Sequence, residues 1–183
     1  MLRRPSSGIT PRNDIYELTD KIVILDRKMT KEELLKTFQD KFPGKIEEIP
    51  FVGVDVAFKV EKELILDVCK FAKETTGLAF DLLACQTCID WTDHMEIVYH
   101  LFSFTHRHNI AIKTSVPRDG EIESMTQVWN AANWHEREIA ELFGVTFKNH
   151  PDPRPILLPE DWDQGFPMRR DWEGKDFVRL PKK

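Results

Sequence analysis

Cys85-Gln86-Thr87-Cys88 sets two thiols at C-x-x-C spacing, the arrangement of a redox dithiol or of half a metal site. A thioredoxin-type dithiol needs its first cysteine at a helix N-terminus, which lowers the thiol pKa. Here Ile89-Asp90-Trp91 follows, with no helix pattern. A zinc or iron–sulfur centre needs two more ligands. The remaining cysteine, Cys69, falls on the apolar side of a helix pattern, and the nearest histidine is His94. The expectation is a pair of small buried side chains at a strand end. His135-Glu136 begins like the H-E-x-x-H zinc motif, but Ile139 stands where the second histidine belongs. His106 and His108 are close enough to share a strand face, and they read as solvated imidazoles at a turn or strand edge. His94 and His100 have no matching partner. No serine sits in a G-x-S-x-G context and no glycine-rich loop opens a helix. The carboxylate pairs Glu47/Glu48 and Glu160/Asp161 read as solvated faces. No nucleophile, base and oxyanion site assemble, so no catalytic, cofactor-binding or metal-binding residue is expected in this chain.

The elements that would carry these residues follow from periodicity. Residues 1–20 hold Pro5, Ser6, Ser7, Gly8 and Pro11 and read as an N-terminal arm. Residues 22–25 suggest a short strand. Thr30 with Glu33 reads as a capping box opening a helix that Phe42-Pro43-Gly44 stops. Two strands are expected at 46–51 and 54–60 around Gly53. A second amphipathic helix is expected at 61–75, with Leu64, Val68, Phe71 and Ala72 on one stripe. Strands are expected at 79–83, 95–103 and 108–115, the middle one rich in β-branched and aromatic residues. A last helix is expected at 124–143, closed by Gly144. On it Ala131, Ala132, His135, Ile139, Leu142 and Phe143 can face a sheet, Arg137 and Glu141 stand at i,i+4, and Trp134 and Glu138 share another face. Strands grouped in hairpins predict an α+β fold, with a mixed sheet packed by helices in two layers over residues 21–147.

After Lys148 the chain changes character. Pro151, Pro153, Pro155, Pro159, Pro167 and Pro181 rule out regular helix or central strand. Trp162, Phe166, Trp172 and Phe177 set the stretch apart from a disordered linker. Residues 148–183 therefore read as an extended arm that covers a surface, its own or a partner's.

The composition bounds the remainder. The chain has 183 residues, a net charge of −5, 41% hydrophobic and 31% charged residues. An acidic chain is a poor primary binder of nucleic acid. The run Ile22-Val23-Ile24-Leu25 is far short of the ~20 apolar residues that span a bilayer. The start lacks the apolar core of a secretory signal. An odd, small number of cysteines does not make a disulfide framework. These features predict a soluble, intracellular chain.

The helix and the arm together carry a longer pattern. Glu136-Arg137-Glu138 is followed by Leu142-Phe143-Gly144, then His150-Pro151-Asp152-Pro153-Arg154, then Ile156-Leu157-Leu158-Pro159-Glu160-Asp161-Trp162, then Gly165-Phe166-Pro167-Met168-Arg169-Arg170-Asp171. With Met95-Glu96-Ile97-Val98-Tyr99-His100-Leu101 upstream, the order resembles the thirty-kilodalton subunit family of respiratory complex I, the C subunit of bacterial NADH:quinone oxidoreductase. Gly165-Phe166-Pro167 stands for the family's G-H-P with one extra residue after Trp162, and Pro153 and Pro155 depart from the common leucine and arginine. The variant spacing before the final proline, with the short chain, leans towards the branch of membrane-bound nickel–iron hydrogenases and related ferredoxin-linked archaeal complexes.

The resemblance implies a non-catalytic hydrophilic-arm subunit without a cofactor of its own. Its domain would pack beside a large catalytic subunit and a small iron–sulfur subunit, with the arm running over the partner. Iron–sulfur clusters, and nickel–iron or flavin according to the branch, would lie in those chains. The complex would couple electron transfer to ion translocation from the cytoplasmic face of the cell membrane, with this chain peripheral. The interface residues implied are Glu136, Arg137, Glu138, His150, Asp152, Arg154, Trp162, Phe166, Arg169, Arg170, Asp171 and Trp172. Two other readings stay open: a stand-alone thiol or metal enzyme using Cys85 and Cys88, and a soluble adaptor outside redox chemistry.

Overall fold

The computed structural model describes residues 28–174. The expected N-terminal arm, the strand at 22–25, Phe177 and Pro181 lie outside the described residues. Helix α1 (Lys31–Lys41) starts at the expected capping box: Glu33 N–H donates to the Thr30 hydroxyl at 3.2 Å and Thr30 N–H to the Glu33 carboxylate at 2.8 Å. Strands β1 (Glu47–Glu48) and β2 (Val56–Lys59) follow, then α2 (Ile65–Glu74). Next come β3 (Leu82–Asp90), β4 (His94–Phe102) and β5 (Asn109–Pro117). The chain continues through β6 (Glu121–Glu123), a 3₁₀ turn (Met125–Gln127), α3 (Ala132–Phe143) and β7 (Thr146–Lys148).

The main sheet has the order β1-β2-β5-β4-β3, with β2 and β5 parallel and the other pairs antiparallel. Strands β6 and β7 form a small parallel pair beside it. The fold is thus the expected α+β arrangement around a mixed sheet. Alternation along β4 sends Met95, Ile97, Tyr99 and Leu101 to one face. They join Ile110, Ile112 and Phe58 from neighbouring strands in one core with Leu34 and Phe38 of α1, Val68, Cys69 and Ala72 of α2, and Ala132 and Ile139 of α3. Among the described residues no helix is long and apolar enough to cross a membrane.

Several elements differ from the sequence-based expectation. The strand expected at 79–83 begins at Leu82 instead and runs through both cysteines to Asp90. The reason is local: Ala79 has φ 43°, and the amides of Leu78 and Ala79 both donate to Thr75 O, which makes a turn. The stretch 46–51 keeps only two strand residues, Glu47 and Glu48, although the turn at Gly53, φ 90°, falls where expected. The helix expected from 124 is broken. Ser124 caps the 3₁₀ turn by accepting from Thr126 N–H at 3.1 Å, and the indole of Trp129 is drawn to Phe80 O at 3.1 Å. Regular helix starts only at Ala132. On α3 it is Glu136, not His135, that joins Ala132 and Ile139 in the interior.

Candidate partner interface on the third helix and the arm

The clearest construction on the molecule is the clamp by which α3 holds the arm. Pro153 and Pro155 contribute carbonyls and no N–H groups to the first half of the arm. Arg137 takes two of the carbonyls there, donating to Arg154 O at 2.6 Å and Pro155 O at 3.1 Å. Three successive amides then return, at Ile156, Leu157 and Leu158. All converge on the Glu141 carboxylate, at 2.8, 2.6 and 3.5 Å. Arg137 and Glu141 therefore grip the arm's backbone from adjacent turns of one helix rather than pairing with each other.

His150 roots the arm. Its Nδ1 accepts from Asp152 N–H at 3.1 Å, so Nε2 carries the proton and donates to Asn133 O at 3.1 Å. Asp152 receives the Arg154 guanidinium through two bonds, at 2.7 and 2.8 Å. Those bonds, with the nearby Arg137 charge, hold its carboxyl down to about 2.

The second half of the arm closes on itself and then returns to the domain. The indole of Trp162 donates to Gly165 O and that of Trp172 to Gln164 O, each at 2.6 Å, and the two rings stack 6.2 Å apart. Arg169 stacks its guanidinium on Phe166, centroid 4.3 Å away, and donates to Phe143 O at 2.7 Å. That carbonyl is one that the end of α3 leaves without a helical partner. Arg169 also reaches Asp119 at 2.5 Å. Gly144 makes room for this. Its φ is 77°, and a Cβ there would strike Arg169 and Phe166.

Asp90, at the end of β3, accepts from Arg170 N–H at 2.8 Å and from Arg118 at 3.3 Å. Arg118 also bonds Asp171. Burial pushes the Asp90 carboxyl up, but the amides of Arg170 and Thr92 and the charges of Arg118 and Arg169 outweigh it and hold it low.

The twelve interface residues expected from the sequence thus fall in three groups. Glu136, Arg137, His150 and Arg169 turn into the chain, with Asp152 half-buried beside them. Trp162, Phe166 and Trp172 brace the arm itself. Glu138, Arg154, Arg170 and Asp171 are exposed. Glu141, Asp90, Arg118, Asp119 and Gly144 complete the clamp and are not among the twelve. For Glu141 a signal exists in the three donors that follow Pro155. For Asp90, Arg118 and Asp119 there is none, because they meet the arm only through the fold.

The other candidate chemistry is taken apart by the sheet. Cys85 pairs with His100 and Cys88 with Ile97 across β3 and β4. An odd spacing on a strand sends the two side chains to opposite faces. The thiols therefore share neither a disulfide nor a metal. Burial pushes all three thiols up, Cys88 to about 12. His106 and His108 are buried, not solvated. Their rings stack 5.7 Å apart, and His106 Nε2 lies 2.9 Å from Thr76 O. Among the described residues no group of three His, Cys, Asp or Glu side chains is placed to hold a metal ion.

An α+β platform whose charged side chains fasten a proline-rich arm to one helix defines the class of protein. Three comparisons define it further. The family model for respiratory-chain NADH dehydrogenase, 30 kDa subunit, matches residues 58–178, and the chain belongs to that family. It is 37% identical over 150 residues to the C subunit of F(420)H(2) dehydrogenase from Methanosarcina mazei, covering 80% of this chain and 94% of that one. It is also 37% identical over 150 residues to the C subunit of NADH-quinone oxidoreductase from Geobacter sulfurreducens, covering 79% and 91%. Among solved structures, a chain of the membrane-bound sulfane sulfur reductase, an archaeal respiratory membrane complex, aligns with a TM-score of 0.62 at 25% identity. That alignment covers 78% of this chain and 85% of the other.

Proposed function

We propose that this chain is a non-catalytic subunit of a membrane-bound, complex I-like oxidoreductase, peripheral at the cytoplasmic face, where it docks a large catalytic subunit and a small iron–sulfur subunit. One observation carries the reading. The arm directs its backbone polar groups to α3 and turns large apolar side chains outward. Leu157 is 60% exposed and Met168 56%, and Trp134 on α3 is 71% exposed. A prebuilt surface with apolar anchors and exposed arginines suits a partner chain, since a held arm loses little entropy on docking. Electrons would pass through iron–sulfur clusters of the neighbouring chains, and this chain's contribution would be positional. Coupling of that transfer to ion translocation belongs to the same reading.

Within the family the reading leans towards the membrane-bound hydrogenase and ferredoxin-linked branch. The extra residue after Trp162 supports it. That residue lets the turn close through Gly165 at φ 75°, with the Trp162 indole on Gly165 O. The likeness to an archaeal respiratory membrane complex agrees. The identity to the Geobacter protein favours a second reading, the C subunit of NADH:quinone oxidoreductase proper.

Affinity purification of the tagged chain from detergent-solubilised native membranes, with mass spectrometry and metal analysis, tests both. Nickel with a large subunit bearing cysteine pairs at both ends supports the hydrogenase branch. Iron–sulfur and integral membrane chains without nickel support a quinone- or sulfur-linked complex, and a flavin subunit among them supports the second reading. Recovery of the chain alone sinks the proposal.

A further inference from the structure

Glu136 is fully buried and, among the described residues, has no cation to neutralise it. From the middle of α3 its Oε2 accepts the Ser124 hydroxyl at 2.6 Å, and its Oε1 accepts Met125 N–H at 2.6 Å and the Gln86 amide at 3.4 Å. The His150 ring approaches to 3.9 Å, but both its nitrogens are engaged, one by Asp152 N–H and the other by Asn133 O. Cys69 of α2 and Tyr99 of β4 face the same carboxylate, and neither carries a positive charge. Arg137, the next residue, is turned away to the arm. In such surroundings burial outweighs the three donors and pushes the carboxyl up to about 7.

A path leads out. The Ser124 oxygen lies 2.6 Å from the Thr126 hydroxyl and also accepts Thr126 N–H at 3.1 Å. Thr126 is half-exposed and lines an open cleft of about 360 Å³ with Asn130, Asn133 and Asn149. This chain of hydroxyls is satisfied in either polarity. With Glu136 ionised, Thr126 donates to Ser124 and Ser124 to the carboxylate. With Glu136 protonated, the carboxyl donates to Ser124, Ser124 to Thr126, and Thr126 to solvent. The Thr126 N–H bond to Ser124 persists in both, so reversal breaks no hydrogen bond.

We propose that Glu136 is a proton-binding site, loaded and unloaded through the hydroxyls of Ser124 and Thr126. One proton enters from water at Thr126 for each one delivered to Glu136, so the relay residues are unchanged after a full cycle. The consequence is a joint between α3, the 3₁₀ turn and the arm's root whose charge follows the medium around neutrality. The inference rests on this chain's own geometry and holds whichever complex the chain joins.

Infrared difference spectroscopy of the full-length chain in D₂O tests it, because ordinary carboxyls are already ionised above about pH 6. The expected result is a protonated-carboxyl band present at about pH 6 and lost by about pH 8, shifted by ¹³C-glutamate labelling and missing in Glu136→Gln. The labelling assigns the band to glutamate without any variant, should E136Q fold poorly. Ser124→Ala should move the midpoint upward, since the carboxylate loses a donor. Thr126→Val keeps the Ser124–Glu136 bond, so it should leave the midpoint in place and slow proton exchange after a laser pH jump at least tenfold. A labelled glutamate band absent at pH 6 overturns the site. An unchanged exchange rate in T126V overturns the route.

Discussion

At the scale of single residues, two positions on or just after α3 carry a cost that can be measured. Glu136 finds hydrogen-bond partners in either state, but burial makes the protonated form the cheaper one to hold. Its pKa is raised on folding from 4.5 to about 7, so its contribution to stability is complete below pH 4.5 and fades as pH rises through 7. Urea unfolding of the isolated chain at pH 5.5 and pH 8 should therefore differ in the direction of a weaker fold at pH 8, by about 2 kcal/mol, and Glu136→Gln should flatten that difference. A chain equally stable at both values would show that water or a counter-ion relieves the buried charge. Gly144 is the other position. Its left-handed backbone and the close approach of Arg169 and Phe166 act together. Gly144→Ala should cost about 2–4 kcal/mol by thermal or denaturant unfolding, more than either the φ penalty or overpacking alone. A loss under about 0.5 kcal/mol would mean that the arm does not pack there in solution.

At the scale of elements, legibility follows whether the deciding interaction is local. The capping box at Thr30 and Glu33 and the left-handed close at Gly144 lie within a few residues of the helix ends they define, and both are readable. The start of β3 is not, because Ala79 and Leu78 are held in a turn by Thr75 and only the pairing with β4 extends the strand over Cys85 and Cys88. The break before α3 is hidden for the same reason, since the Trp129 indole is fixed by a carbonyl 49 residues away. The α3 motif is readable as a pattern, yet its charges are not the surface pair that their spacing suggests. Arg137 and Glu141 instead divide the arm's acceptors and donors between them. Glu141→Ala should leave the amides of residues 156–158 without their acceptor. Hydrogen exchange there should quicken at least tenfold, about 1.4 kcal/mol, with the β4 and β5 amides unaffected. Equal quickening in the central strands would instead mark a global loss of stability.

At the scale of the whole molecule, the arm and the domain face in different directions. Inward, the arm completes α3: Met168 N–H bonds Leu142 O at 3.1 Å and Arg169 takes Phe143 O, so the helix end is capped from residues more than twenty positions later. Outward, Trp134, Leu157 and Met168 stay exposed, whereas most large apolar side chains among the described residues are buried. These two roles separate experimentally. A chain ending at Asn149 loses both, so failure to co-purify partners from native membranes would leave the cause open between misfolding and missing contact. Replacing the outward side chains alone, Trp134→Ser with Leu157→Ser and Met168→Ser, touches none of the clamp's hydrogen bonds. Its unfolding should shift by less than about 1 kcal/mol, while recovery of partner chains in the tagged purification should fall at least tenfold. Full recovery with that triple variant would move the docking surface away from the arm and towards the opposite end of the sheet, where Phe104 and Val52 are also exposed.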